Sequence, residues 1–243
     1  MPGRGMPGRG MLTEIDERDG ERVLRLRFCA ATIDAELVGA VESVLDDVAA
    51  HGVESVVFQF AGDADSVTGE FPSWQPGPSR SDMRYFARWD EALARICRLR
   101  AKTLTAYDGR VGAAAIQVGF VTDLRLSSAR ALLSLGSLSD GRFPGMGAFW
   151  LPKFVGLGNA RRIFLAGEDL TAERASQLGL VDIVDHTVDA AIDAAIKAVR
   201  PVTPEVACFT RRILDDCYVL EHAAATELAK AARYKVGMPA PNG

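Results

Sequence analysis

The side chains able to do chemistry are few and far apart in this sequence. Histidine occurs only at His51, His186 and His222, and cysteine only at Cys29, Cys97, Cys208 and Cys217, with no Cys-x-x-Cys pair. Such spacing offers no metal site, so none is expected, and isolated cysteines in apolar or helical-looking segments read as reduced packing residues. Ser137 and Asp140 stand three positions apart, but no histidine is placed to complete a triad, since His186 falls in a late loop. The carboxylates left to consider are Glu70, Asp108 and Asp140, whose default role is that of solvated loop acids. Asp108 heads an Asp-Gly turn, where the backbone favours Asp, and Asp140 precedes the Phe143-Pro144 turn. Gly112 to Phe120, GAAAIQVGF, is small and apolar enough to begin a tightly packed helix.

The elements that must position these residues follow from periodicity. Arg22 to Phe28 alternates apolar and charged residues, as in a strand with one buried face. Residues 34 to 50 put Leu37, Val38, Val41, Val44, Leu45 and Val48 at helical spacing, between Asp34 and Gly52. Val53 to Phe60 is a β-branched run typical of a buried strand, so the order strand, helix, strand implies a right-handed parallel crossover. Asp63 to Asp82 holds Gly69, Pro72, Gly77 and Pro78 and is a loop of the length that usually serves function. A helix from about Asp82 to Arg98 follows, with Phe86, Trp89, Leu93 and Ile96 on one face. Strands at Leu104 to Tyr107 and Leu124 to Leu126, a capped helix from Thr171 to Leu178, and a strand at Val181 to Val184 come next. Helix then dominates to about Val236.

Composition sets the outer limits. A chain of 243 residues, 48% apolar and 25% charged, can bury one sizeable core. The net charge of −4 gives no global field for nucleic acid or an anionic membrane, so any anionic ligand must meet a local Arg/Lys cluster or backbone N–H groups. No apolar run reaches the length of a membrane span, and a soluble, cytoplasmic protein is expected. The opening MPGRG pentapeptide, written twice, suggests a disordered tail over residues 1–11, ahead of a core at 12–200 and a helical segment at 201–243.

Three segments resemble the crotonase (enoyl-CoA hydratase/isomerase) superfamily. They are AYDGRVGAAAIQVGFVTDLRLSS at 106–128, FPGMGAFWLPKFVG at 143–156, and LAGEDLTAERASQLGLVDIV at 165–184. The resemblance runs over roughly residues 20 to 238 and implies a crotonase-type α/β spiral of repeated ββα units, with C-terminal helices used in trimerisation. It also implies an acyl-thioester site carried by coenzyme A or a carrier protein, with no other cofactor, and an oxyanion hole of two backbone N–H groups. The matching amides are those of Glu70, after Gly69, and Ala114; the second sits at a helix N-terminus, which favours negative charge. Arg80, Arg84 and Lys235 are the cations to consider for the nucleotide phosphates.

The same resemblance puts the two hydratase glutamates at Gln117 and Ser137. Neither an amide nor an unassisted hydroxyl is a usable base, and positioned acids and bases contribute roughly 10²–10⁴ in rate. Inefficient hydration is therefore expected, with Asp140 or Glu70 the nearest replacements. The helix YFARWDEALARICRL and the 143–156 segment are most similar to the small crotonase helpers of dihydroxyphenylglycine biosynthesis. That similarity implies a homotrimer or hexamer, a type III polyketide synthase as partner, and dehydration and aromatisation of a polyketide to a dihydroxyphenylacetyl thioester. The competing expectations are a fatty-acyl-CoA hydratase or isomerase with a relocated acid, and a non-catalytic partner of a synthase.

Overall fold

The computed structural model describes residues 10–18, 20–48, 52–62, 67–72, 80–136 and 146–215. Strand β1 (Met11–Arg18) pairs antiparallel with β2 (Glu21–Phe28), and the crossover helix α1 (Ala35–Asp47) leads to β3 (Ser55–Ala61), parallel to β2. Helix α2 (Arg80–Cys97) precedes β4 (Lys102–Asp108), which lies parallel to β3. The short β5 (Arg110–Val111) runs straight into α3 (Ala113–Phe120), and β6 (Leu124–Ser128) returns beside β4. After β7 (Leu132–Leu133) come α4 (Gly147–Ala166), β8 (Leu170–Thr171), α5 (Ala172–Gln177), β9 (Ile183–Asp185), α6 (Val188–Val199) and α7 (Pro204–Asp215).

Six strands form one sheet in the order β1-β2-β3-β4-β6-β9, and β5-β7-β8 form a second, smaller one. This repeating strand–strand–helix path is the α/β crotonase fold that the sequence segments imply. The helix boundaries have local causes. Asp34 caps α1 by accepting from the Leu37 amide at 2.8 Å, and Thr171 and Thr187 do the same for α5 and α6. Gly156, at φ +76°, interrupts α4 partway along.

Two apolar layers flank the main sheet. Leu24, Leu26, Phe28, Val56, Phe58 and Phe60 face α1 and α2, while Val23, Val57, Leu104, Ala106 and Leu126 face α6. Strand β2 therefore differs from the expected strand with one wet face. Both its faces are covered, and Arg25, itself buried, is accommodated by an ion pair to Asp189 of α6 at 2.7 Å. Strand β1 is an addition to the sequence reading, and Met11, assigned there to the tail, is buried and paired with Phe28. Residues 1–9 lie outside the described residues.

Helix α7 is tied into this body chiefly by one side chain. Arg211, only 5% exposed, donates to Asp123 through Nε (2.7 Å) and Nη2 (2.9 Å). Its other hydrogen bonds go to the carbonyls of Ile96 and Cys97 in the last turn of α2, of Leu99 just past it, and of Ala101. The last carbonyls of a helix have no partner within it, and the guanidinium supplies donors to those of α2. Residues 216–243, including Cys217 and the remainder of the expected C-terminal segment, lie outside the described residues. The cysteines split by position: Cys208 is buried and Cys97 half-buried, but Cys29 is exposed rather than packed, because Phe28 takes the inward side of the strand end.

Candidate active site

The site is built where the chain after β3 crosses the start of α3. Thr68 donates to the Arg110 carbonyl at 2.9 Å, Gly112 to Thr68 at 2.8 Å, and Ala115 to Gly69 at 2.9 Å. Glycine is required on both sides of this crossing. A Cβ at Gly69, whose φ is +74°, would stand 2.6 Å from the Ala115 Cβ, and one at Gly112 would stand 2.8 Å from the Glu70 Cα. In the first turn of α3, and among the described residues, the Ala114 amide has no hydrogen-bond acceptor. Ala114 is fully buried, so an oxygen arriving there would meet a donor in a dry setting, at the positive end of a helix.

Glu70 is arranged differently from the second donor the resemblance implies. Its amide donates to the Ala31 carbonyl at 2.9 Å, and its carbonyl accepts from Ile33 at 2.9 Å, in a short parallel bridge at Thr32. In this conformation its N–H is already engaged. The carboxylate folds back, with Oε1 accepting from the Phe71 amide at 2.9 Å and Oε2 close above Gly112. It thus stands at the mouth of the α3 N-terminus.

One turn further along α3, Gln117 is 1% exposed and its Oε1 accepts from the indole Nε1 of Trp89 at 3.0 Å. Indole only donates, which fixes the amide orientation with oxygen toward Trp89. Trp89 is held in turn by Phe71, edge-on at 6.0 Å between ring centroids, and Phe71 tilts against Phe86 at 5.6 Å. This Trp89–Gln117 contact was not legible in the sequence, where Trp89 reads as ordinary packing at helical spacing.

The remaining sequence candidates fall into groups. Ser137, Asp140 and Lys235 lie outside the described residues, as does the side chain of Arg80, while Arg84 is an exposed residue of α2. Asp108 is a structural acid. Arg130 (Nε 2.8 Å) and Ser128 (2.6 Å) donate to it, and the Arg130 hydrogen bond, ahead of all other influences, holds its carboxyl below the usual range. Asp123 is likewise structural, bound by Arg211 and by the amide and hydroxyl of Thr103. His186 is exposed. Tyr107 is buried at the Gly119 backbone, where its hydroxyl leaves no space for a side chain on Gly119.

A cavity of about 400 Å³ opens at the opposite end of α3, among Phe120, Arg125, Trp150, Phe154 and Leu214. It is not adjacent to the Ala114 amide. Among the described residues no group of His, Cys, Asp and Glu is arranged to hold a metal ion, and no helix is long and apolar enough to cross a membrane.

A parallel spiral whose helix N-terminus meets a glycine crossing defines an α/β protein of the crotonase class. The pattern of the Enoyl-CoA hydratase/isomerase family matches residues 28–229, and the chain belongs to that family. Among characterised relatives, it is 26% identical over 201 residues to a crotonyl-CoA hydratase of Syntrophomonas wolfei, covering 81% of this chain and 69% of that protein. It is also 25% identical over 149 residues to an enoyl-CoA hydratase of Amycolatopsis orientalis, covering 60% and 69%. In fold it is similar to an enoyl-CoA hydratase/isomerase from Cupriavidus metallidurans CH34, with a TM-score of 0.79 at 22% identity over 96% of this chain and 89% of that one. An enoyl-CoA hydratase from Geobacillus kaustophilus HTA426 gives a TM-score of 0.81 at 14% identity over 97% and 91%.

Proposed function

We propose that this chain binds an acyl thioester of coenzyme A or of a carrier protein and polarises its carbonyl at the N-terminus of α3, without the acid–base pair of a hydratase. The observation that carries this reading is the buried, indole-bound Gln117 beside the unpaired Ala114 amide. An amide does not titrate near neutral pH, so position 117 binds and orients but does not shuttle a proton. A substrate whose reaction is strongly downhill suits such a site, and aromatisation of a cyclised polyketide thioester to a dihydroxyphenylacetyl thioester is that kind of reaction. The chain then acts in the cytoplasm as a homotrimer or hexamer, beside a type III polyketide synthase. Asp140 is the acid proposed to stand in for the missing pair.

Crotonyl-CoA hydration tests the reading. Background rates are expected for the purified chain, and hydration at rates ordinary for an enzyme would overturn it.

The engaged amide of Glu70 favours a second reading, a non-catalytic partner of a synthase, since only one of two expected donors is presented. Co-purification with a synthase without turnover of any thioester would support it; turnover by the isolated chain would exclude it.

A further inference from the structure

We propose that the cavity between the turn after α2 and helix α7 is an anion site, where Arg98, Arg100 and Arg212 bind a diphosphate group on a small ligand. This site is separate from the acyl-thioester site and does not rest on that reading.

Charge comes first. The chain carries a net −4, yet a cavity of about 480 Å³ is lined by Arg98, Arg100, Glu205, Cys208, Phe209 and Arg212, three cations against one acid. Other cations of this region are already matched: Arg88 to Glu42, Arg95 to Asp46 and Lys102 to Glu21. Arg98, Arg100 and Arg212 are exposed and, among the described residues, pair with no carboxylate. Asp215, a further acid on α7, is engaged by the Cys97 thiol. Guanidinium groups gathered round one space repel each other, and an anion between them removes that cost.

The frame is held before any ligand arrives. The Arg98 amide donates to the Arg95 carbonyl at 3.0 Å and the Leu99 amide to the Ile96 carbonyl at 3.1 Å, closing the turn that carries Arg98 and Arg100. Cys208 of α7 places its Sγ 3.7 Å from the Arg98 carbonyl, and Arg211 binds the carbonyls of Cys97 and Leu99. Turn and helix are thus fixed to each other, with Arg212 next to Arg211, and a ligand is spared part of the ordering cost. Planar guanidinium forks match phosphate oxygens in pairs, and three of them suit the oxygens of a diphosphate better than those of a single phosphate. Strand β4 begins two residues after Arg100 and ends at Asp108, toward α3, so about 20 Å of strand separates this cavity from the Ala114 amide.

Calorimetric titration of the full chain with pyrophosphate, at an ionic strength fixed with sodium chloride, tests this. Saturable binding about tenfold tighter than that of orthophosphate is expected. Each of Arg98→Gln, Arg100→Gln and Arg212→Gln should weaken it about tenfold, the equivalent of one charge-assisted hydrogen bond. Arg161→Gln, at an exposed arginine of α4, changes the net charge equally and should leave it unaltered. ADP that competes with pyrophosphate and binds at least as tightly marks the group as part of a nucleotide, with Phe209 as its apolar wall; ADP that does not compete marks the free anion. Undiminished pyrophosphate binding in the triple variant overturns the inference, as does binding of polyglutamate with none of pyrophosphate. Loss of butyryl-CoA affinity in the three variants would make the cavity part of the thioester site and overturn it as well.

Discussion

Gly69 and Ala115 are in contact so close that no side chain fits at the first: a Cβ there would stand 2.6 Å from the Ala115 Cβ. The Gly69 φ of +74° adds a second penalty for any other residue. Gly69→Ala is therefore expected to cost about 2–4 kcal/mol, combining left-handed strain with overpacking. Urea denaturation measures it, and a loss under about 0.5 kcal/mol would show that the crossing relaxes freely.

Arg211 gives the largest expected single-residue effect. Removing it takes the guanidinium bonds from Asp123, which keeps only those from Thr103, and from the carbonyls of Ile96, Cys97, Leu99 and Ala101. Arg211→Met should cost about 3–5 kcal/mol, as when one partner of a buried pair is deleted. Arg211→Lys should recover only part of it, because an ammonium cannot reproduce the planar fork. Equal stability of the parent and the methionine variant would contradict this.

The Asp108–Arg130 pair carries a pH signature. Its carboxyl is held below the ordinary 3.8, chiefly by the Arg130 hydrogen bond. A depressed folded-state value means the pair stabilises the fold above pH 3.8 and stops doing so as pH falls through the lower value. Arg130→Met should thus lower Tm at pH 7, with the gap to the parent closing in acid. A gap that widens toward low pH would reverse the assignment.

Thiol chemistry should separate Cys29 from Cys97. Burial, reinforced by the charge of Asp215, pushes the Cys97 thiol up to about 12, whereas Cys29 is exposed. Mass spectrometry after brief maleimide treatment of the native chain at pH 8 should find label on Cys29 and none on Cys97. Modification of Cys97 as fast as Cys29 would refute its burial.

Much of the fold was legible because its signals are local. Asp34, Thr171 and Gly179 mark helix ends by their own chemistry, and the spacing from Gly109 through Gln117 to Asp123 carries the family pattern. Strand β1 was not legible, since MLTEIDER has no clean alternation and gains its identity only by pairing with β2. The charged positions of β2 pointed to a wet face, and only the distant Asp189 makes Arg25 acceptable inside. The site shows the same division. Gly69, Ala114 and Gln117 could be located along the chain, but Ala31 engaging the Glu70 amide and Trp89 orienting Gln117 join residues 39 and 28 positions apart. Such contacts are tertiary, and no single segment encodes them.

The Arg211 contacts also set an order of events during synthesis. Asp123 lies 88 positions before Arg211 and the Ile96 carbonyl 115 before it, so neither can be engaged until Arg211 itself has left the ribosome. The β1–β2 hairpin, by contrast, closes over neighbouring residues and needs nothing downstream. A nascent chain therefore carries its sheet edge early, and the segment after α3 stays unclamped until α7 has emerged.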